Sequence, residues 1–142
     1  MSSSAWQLAK LLPRFYEKNA LSICGKASHF KITTFKFGHD PKYVNESKSP
    51  PELVAFDENE NTISNIFYTG TLDPNTDVVW SNGRVLFRCE MPKGGVSSPS
   101  KFSLTGLFDN DGDLVAVSVD LPDWVTPDES LDVHPYIQFP IA

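Results

Sequence analysis

A chain of 142 residues has the length of one ordinary domain and can bury a core without a covalent staple. Twelve Lys plus Arg against eighteen Asp plus Glu leave a formal net charge of -6, and with no basic run interleaved with aromatics this argues against nucleic-acid binding. Cys24 and Cys89 are too few and too far apart for a disulfide framework or a zinc motif, so both are expected reduced and buried; no apolar run approaches the roughly 20 residues of a membrane-spanning helix.

Taken in chain order, Ala5 to Asn19 places Trp6, Leu8, Leu11, Leu12, Phe15 and Tyr16 at mixed three- and four-residue intervals. The spacing predicts one amphipathic helix with Ser4 available as its N-cap. Pro13 removes a backbone donor and crowds the preceding turn, so a kink or a break into two short helices is expected near Leu12. Lys10, Arg14, Glu17 and Lys18 interrupt this segment, which lacks the pattern of a secretory signal, and folding in a reducing cytoplasm is expected. From Ser28 the period changes to two, with Phe30, Ile32 and Thr34 alternating against polar neighbours before Phe35, Phe37 and a Gly38-His39-Asp40-Pro41 breaker. Pro41 to Glu52, with Pro41, Pro50, Pro51 and a Ser-Lys-Ser stretch, reads as an exposed loop.

Asn61 to Tyr68, holding Ile63, Ile66, Phe67 and Tyr68, reads as a strand followed by an Asp73-Pro74-Asn75-Thr76 turn. Val78 to Trp80 and Arg84 to Glu90 flank Asn82-Gly83, a pair that tolerates positive φ and predicts a short hairpin. Lys93 to Ser100 is a Gly, Ser and Pro loop, and Gly94-Gly95 lacks the surroundings of a phosphate cradle, so it reads as sharply bent backbone. Phe102 to Phe108 and Asp113 to Val119 are apolar, β-branched strands joined by Asp109-Asn110-Asp111-Gly112, the strongest hairpin signal in the chain. After Leu121-Pro122-Asp123-Trp124, a polar segment from Thr126 to Asp132 leads to a last strand, Tyr136 to Ile141.

The run Phe102-Ser103-Leu104-Thr105-Gly106-Leu107-Phe108-Asp109, its Asp/Gly turn and the return Leu114-Val115-Ala116-Val117, preceded by Gly94-Gly95, resemble a segment of bacteriophage tail-collar fibre proteins. In that family a glycine pair and an aromatic precede a Gly-Leu-Phe-Asp strand, a turn, and a Leu-Ile-Ala-Val return. Upstream, Ile32 to Asp40 is similar to the family's early strand, which follows a short N-terminal helix. The resemblance implies the base-plate-attaching module, a structural role in the virion tail, other tail proteins as partners, and symmetric copies, the trimer being common in that family. The usual family chain continues into a fibre shaft, whereas this sequence closes at Ala142, which favours an adaptor or fibre-network subunit over a complete fibre.

Candidate chemistry is thin. Asp109, Asp111 and Asp113 beside Gly112 invite calcium, but the spacing is wrong for an EF-hand loop and a solvated hairpin turn accounts for them. His29, His39, Asp40 and His134 suggest a base or metal site without a nucleophile motif to serve, and His39-Asp40-Pro41 reads as a turn cap. No catalytic residue, cofactor or metal ligand is therefore expected. Trp80 and Trp124 suit a competing role, a carbohydrate-binding module for host surface glycans, while the residues expected to meet protein partners are Trp6, Phe15, Tyr16 and Trp124. The expected fold is α+β: one N-terminal helix, kinked or broken at Pro13, against a mainly antiparallel sheet or small sandwich of about six or seven strands, in a single domain over residues 1–142.

Overall fold

A computed structural model describes residues 6–140. Its first strands, β1 (Trp6–Leu8) and β2 (Lys10–Leu11), precede one helix, α1 (Pro13–Ile23), and then β3 (Ile32–Gly38). Short strands β4 (Val44–Asn45) and β5 (Glu52–Leu53) form a small ribbon, followed by β6 (Tyr68–Thr71), β7 (Val78–Ser81), β8 (Arg84–Phe87) and β9 (Cys89–Met91). The chain ends in three long strands, β10 (Ser100–Asp109), β11 (Leu114–Val125) and β12 (Leu131–Gln138). One sheet has the order β1-β12-β8-β7, with β9 also on β12, and the other runs β2-β11-β10-β3-β6; they are called here the outer and the central sheet. The pairing of β1 with β12 is parallel, and every other ladder among the described residues is antiparallel. An N-terminal helix with mainly antiparallel sheets is thus the observed class, with more strands than expected.

At β10 and the first half of β11 the central sheet is buried on both faces. Phe35, Phe37, Leu107 and Val115 meet Phe87, Cys89, Met91, Val133 and Ile137 of the outer sheet in one core. On the opposite face Leu104, Phe108, Leu114 and Val117 pack with Leu12 and with Tyr43, Phe56 and Ile63 from the connection between β3 and β6. Burial on both faces explains the near-continuous apolar run of β10 and β11, where a one-faced strand would alternate. The register shift between Leu107 and Phe108 gives β11 one extra residue, so Val115 and Ala116 both reach the inter-sheet core.

The N-terminal expectation needs correction. Residues 6–11 are strand, and the helix begins at Pro13 without a kink and runs to Ile23. Proline suits the first helical position, where its missing N–H has no partner to lose and its fixed φ is already helical. The helix stops at Gly25, whose φ of 70° lets its N–H reach Ser22 O (3.1 Å) and the Lys26 N–H reach Leu21 O (3.0 Å). Segment 6–12 instead ties the two sheets together, since the Ala9 N–H donates to Tyr136 O in the outer sheet and the Leu12 N–H to Val115 O in the central one. Ser4 and Ala5 lie outside the described residues.

Other boundaries also moved. Residues 61–67 form no strand, because Asn65 adopts a φ of 49° and the Ser64 carbonyl turns to accept from the His39 N–H; Ile63 enters the core, and Phe67 packs partly buried against Phe37. The expected loop from Pro41 to Glu52 carries a 3-10 turn at Pro41–Tyr43, capped by Asp40 accepting from the Lys42 N–H at 3.1 Å, and Tyr43 is buried. The segment Leu121 to Trp124 lies within β11, beyond another register shift, and β12 starts at Leu131, well before Tyr136; Ile141 falls outside the described residues. The Asn82-Gly83 hairpin forms with φ values of 50° and 79° and Ser81 opposite Arg84. Cys89 is buried, and burial pushes its thiol well above the ordinary range, whereas Cys24 is exposed at the helix C-terminus.

Between the sheets, Gln7 Nε2 donates to Asp120 Oδ1 at 2.5 Å while Asp120 Oδ2 is buried without a partner. Burial pushes the Asp120 carboxyl up to about 6. The folded state therefore keeps a proton between about pH 4 and 6 that the unfolded chain has released, so stability falls as pH rises through this window and stays lower above it. The charge costs the fold on the order of 2–3 kcal/mol above pH 6. Asp120→Asn keeps the acceptor for Gln7 and should flatten that step and raise the melting temperature at pH 7.5; thermal unfolding from pH 4 to 8 measures both.

Candidate interaction surfaces

On the outer sheet, the registers Tyr136↔Leu86, Val79↔Leu86 and Leu8↔Tyr136 place Leu8, Tyr136, Leu86 and Val79 in one row across four strands, on the face turned away from the core. Leu8 is 62% exposed and Val79 44%, with Leu86 and Tyr136 half-buried between them. Beside this row Trp6 lies over the His134 ring, with centroids 4.9 Å apart. On its other flank the Arg84 guanidinium covers Tyr136 at 5.0 Å while its Nε donates to Gln138 Oε1 at 2.8 Å. β8 and β9 meet β12 in one unbroken register, from Arg84↔Gln138 to Met91↔Leu131, so the face is continuous.

The four residues expected to meet partners fall apart in the fold. Trp6 is exposed on the outer sheet. Tyr16 is exposed on α1. Trp124 is exposed near the end of β11, with Lys101 Nζ 5.9 Å from its ring. Phe15 is a correction: it is 5% exposed, stacked edge-on with Phe30, and belongs to the core, because starting the helix at Pro13 turns this position toward the sheets. The apolar row was missed, although its signal was present: the outward positions of three alternating strands, Val79, Leu86 and Tyr136, are apolar where a solvated face would be polar.

A second feature is concave. Phe15, Phe30, Phe87, Ile137, Phe139 and Val78 line an open cavity of about 380 Å³ between the sheets, with Asn19, Lys31 and Thr33 as its polar lining. Trp80 stands beside it, largely exposed, its ring 5.9 Å from Phe139.

The polar candidates resolve into structural contacts. Lys18 of α1 places its ammonium 2.8 Å from Asp109, 3.1 Å from Asp111 and 2.6 Å from Asp113, which close around it within 4.8 Å of one another. Asp109 is fully buried and its Oδ1 also accepts from the Asp111 and Asp113 N–H groups, so this turn is a charge-paired tether between helix and hairpin, and the solvated turn expected there is corrected. Hydrogen bonds to Asp109 and then Asp113 hold the Lys18 ammonium well above its ordinary range. His39 Nδ1 lies 2.7 Å from Ser103 Oγ, burial lowers the pKa of the imidazole, and Ser103 is itself fully buried. His29, His39 and His134 do not converge: the first offers its carbonyl to Asn110, the last lies under Trp6. At Gly94 φ is 83°, and its N–H donates to Pro127 O, the bent backbone that the glycine pair implied.

Lys18→Met leaves Asp109 buried beside two further carboxylates without their cation. The expected loss is about 2 kcal/mol at pH 7, since an orphaned buried charge costs more than the pair contributed. Urea unfolding of the variant against the parent measures it. Compared with protein-family models, with curated protein sequences and with solved structures, the chain matches none of them, so the family resemblance rests on the residues that carry it in the sequence.

Proposed function

We propose that this chain is a non-enzymatic assembly protein of a phage-type tail, an adaptor or fibre-network subunit that joins fibres to the base plate and is present in symmetric copies. The observation that carries the reading is the apolar row Leu8–Tyr136–Leu86–Val79 with Trp6 beside it. Scattered exposed apolar residues are ordinary on a soluble protein, but a contiguous set across four paired strands, bordered by Arg84 and His134, has the composition of an interface centre with a polar rim. The strands beneath it are rigidly paired, so docking requires little reordering. The tail itself is supplied by the resemblance of Phe102 to Val117, and the acidic net charge suits partners other than nucleic acid.

A glycan-binding module is favoured less. Trp80 and Trp124 are exposed, but they belong to different sheets and no ring contact joins them into a shared stacking platform. Glycan binding lost on Trp124→Ala would install that reading instead.

The test is assembly. Light-scattering mass of the purified chain, followed by electron microscopy of particles from the same source, is expected to give an oligomer located where fibres meet the tail. Leu8→Lys combined with Val79→Lys should return the chain to a monomer while changing its unfolding free energy by about 1 kcal/mol or less, because both side chains are already exposed in the single chain. A parent chain that stays monomeric and is absent from particles would sink the proposal.

A further inference from the structure

β7 is the last strand of the outer sheet on its side, with β8 as its neighbour on the other. Its pairing with β8 follows Val78↔Phe87 to Ser81↔Arg84, and the Arg88 N–H donates to Asp77 O at 2.8 Å. In an antiparallel ladder hydrogen-bonded and non-bonded pairs alternate, so Asp77, Val79 and Ser81 point their backbone groups at β8 while Val78 and Trp80 point theirs outward. These two residues also face the core side of the sheet: Val78 lines the 380 Å³ cavity and the Trp80 ring stands beside it. The same strand thus borders an apolar cavity and, among the described residues, leaves two N–H and two C=O groups unpaired at its edge.

We propose that the free edge of β7 and this cavity form one docking site, taken by an extended apolar segment of a different protein chain added as a further strand of the outer sheet. A strand beside β7 satisfies the outward groups of Val78 and Trp80, and its side chains next to them fall on the cavity side, since alternate residues share a face. A helix cannot do this, because its own N–H and C=O groups are already paired. The occupant is therefore apolar at every second residue. An engineered cavity of roughly 150 Å³ takes a benzene ring, so this one holds about two such rings, or one ring and a branched aliphatic side chain. Lys31 has no acidic partner among the described residues, which suits an acidic residue in the segment. The edge of a second copy's β7 is open as well, but its inward side chains, Val78 and Trp80, already line or border their own cavity, so the filler comes from a different chain. The inference does not depend on the tail assignment.

The test selects peptides about ten residues long, the length of one or two strands, from a random displayed library on the full chain. Enrichment of sequences apolar at every second position is expected. Trp80→Pro removes only an outward N–H, a position where an edge strand accepts proline, and should weaken the selected peptides about tenfold relative to Trp80→Ala, which keeps that donor. Val85→Phe, which narrows the cavity from its wall, should weaken them similarly. Hydrogen exchange gives the same answer without a substitution, since peptide should slow the Val78 and Trp80 amides while leaving Val79 unchanged. Enriched peptides without a period of two, no enrichment, or equal binding to Trp80→Pro and Trp80→Ala would overturn the proposal. So would a dimer of the parent chain that Trp80→Pro abolishes, which would give the edge to a second copy.

Discussion

Burial of both faces of the β10–β11 ribbon is the constraint on which the rest of this protein depends. A strand pair covered on one side can present polar residues to water, but here the outer sheet covers one face and the β3–β6 connection covers the other. The connection is therefore structural despite its prolines and charges, since Tyr43, Phe56 and Ile63 are what keep Leu104, Phe108 and Leu114 dry. The bulge at Val115 lets one ribbon serve two cores by shifting which residues face each.

The N-terminal segment fastens this arrangement. Residues 6–12 cross from the edge of the outer sheet to the edge of the central one, and α1 then lays Phe15 into the inter-sheet core. Lys18 anchors the same helix on the β10–β11 turn by neutralising Asp109, Asp111 and Asp113. A carboxylate cluster that would otherwise oppose the turn becomes the point where helix and ribbon are joined, a use of buried charge that stabilises only while the cation stays in place.

The outer sheet divides its labour by face and edge. Its inner side closes the core, its outer side carries the apolar row, and its β7 edge borders the cavity. Both candidate surfaces use the pleat of the same strands, so neither requires a loop to order on binding. Binding built on paired strands pays little in conformational entropy.

The local turns and the ribbon were legible from residue order alone. Asn82-Gly83 and Asp109 to Gly112 act through backbone conformations that these residues adopt whatever surrounds them, and the apolar density of Phe102 to Phe108 demands burial in any fold. Tertiary structure decided what the helical spacing of Trp6 to Leu12 could not: these residues are strand because β12 and β11 offer free edges, and backbone pairing outweighs a weak local preference. It decided likewise that Ile63 is core without a strand, that Phe15 is buried, and that Lys18 stands among three aspartates 91 to 95 residues away. The apolar row lies between these cases. Val79, Leu86 and Tyr136 sit at outward positions of strands that the sequence suggests, but only strand order brings them side by side with Leu8, because a row across a sheet joins residues that chain distance keeps apart.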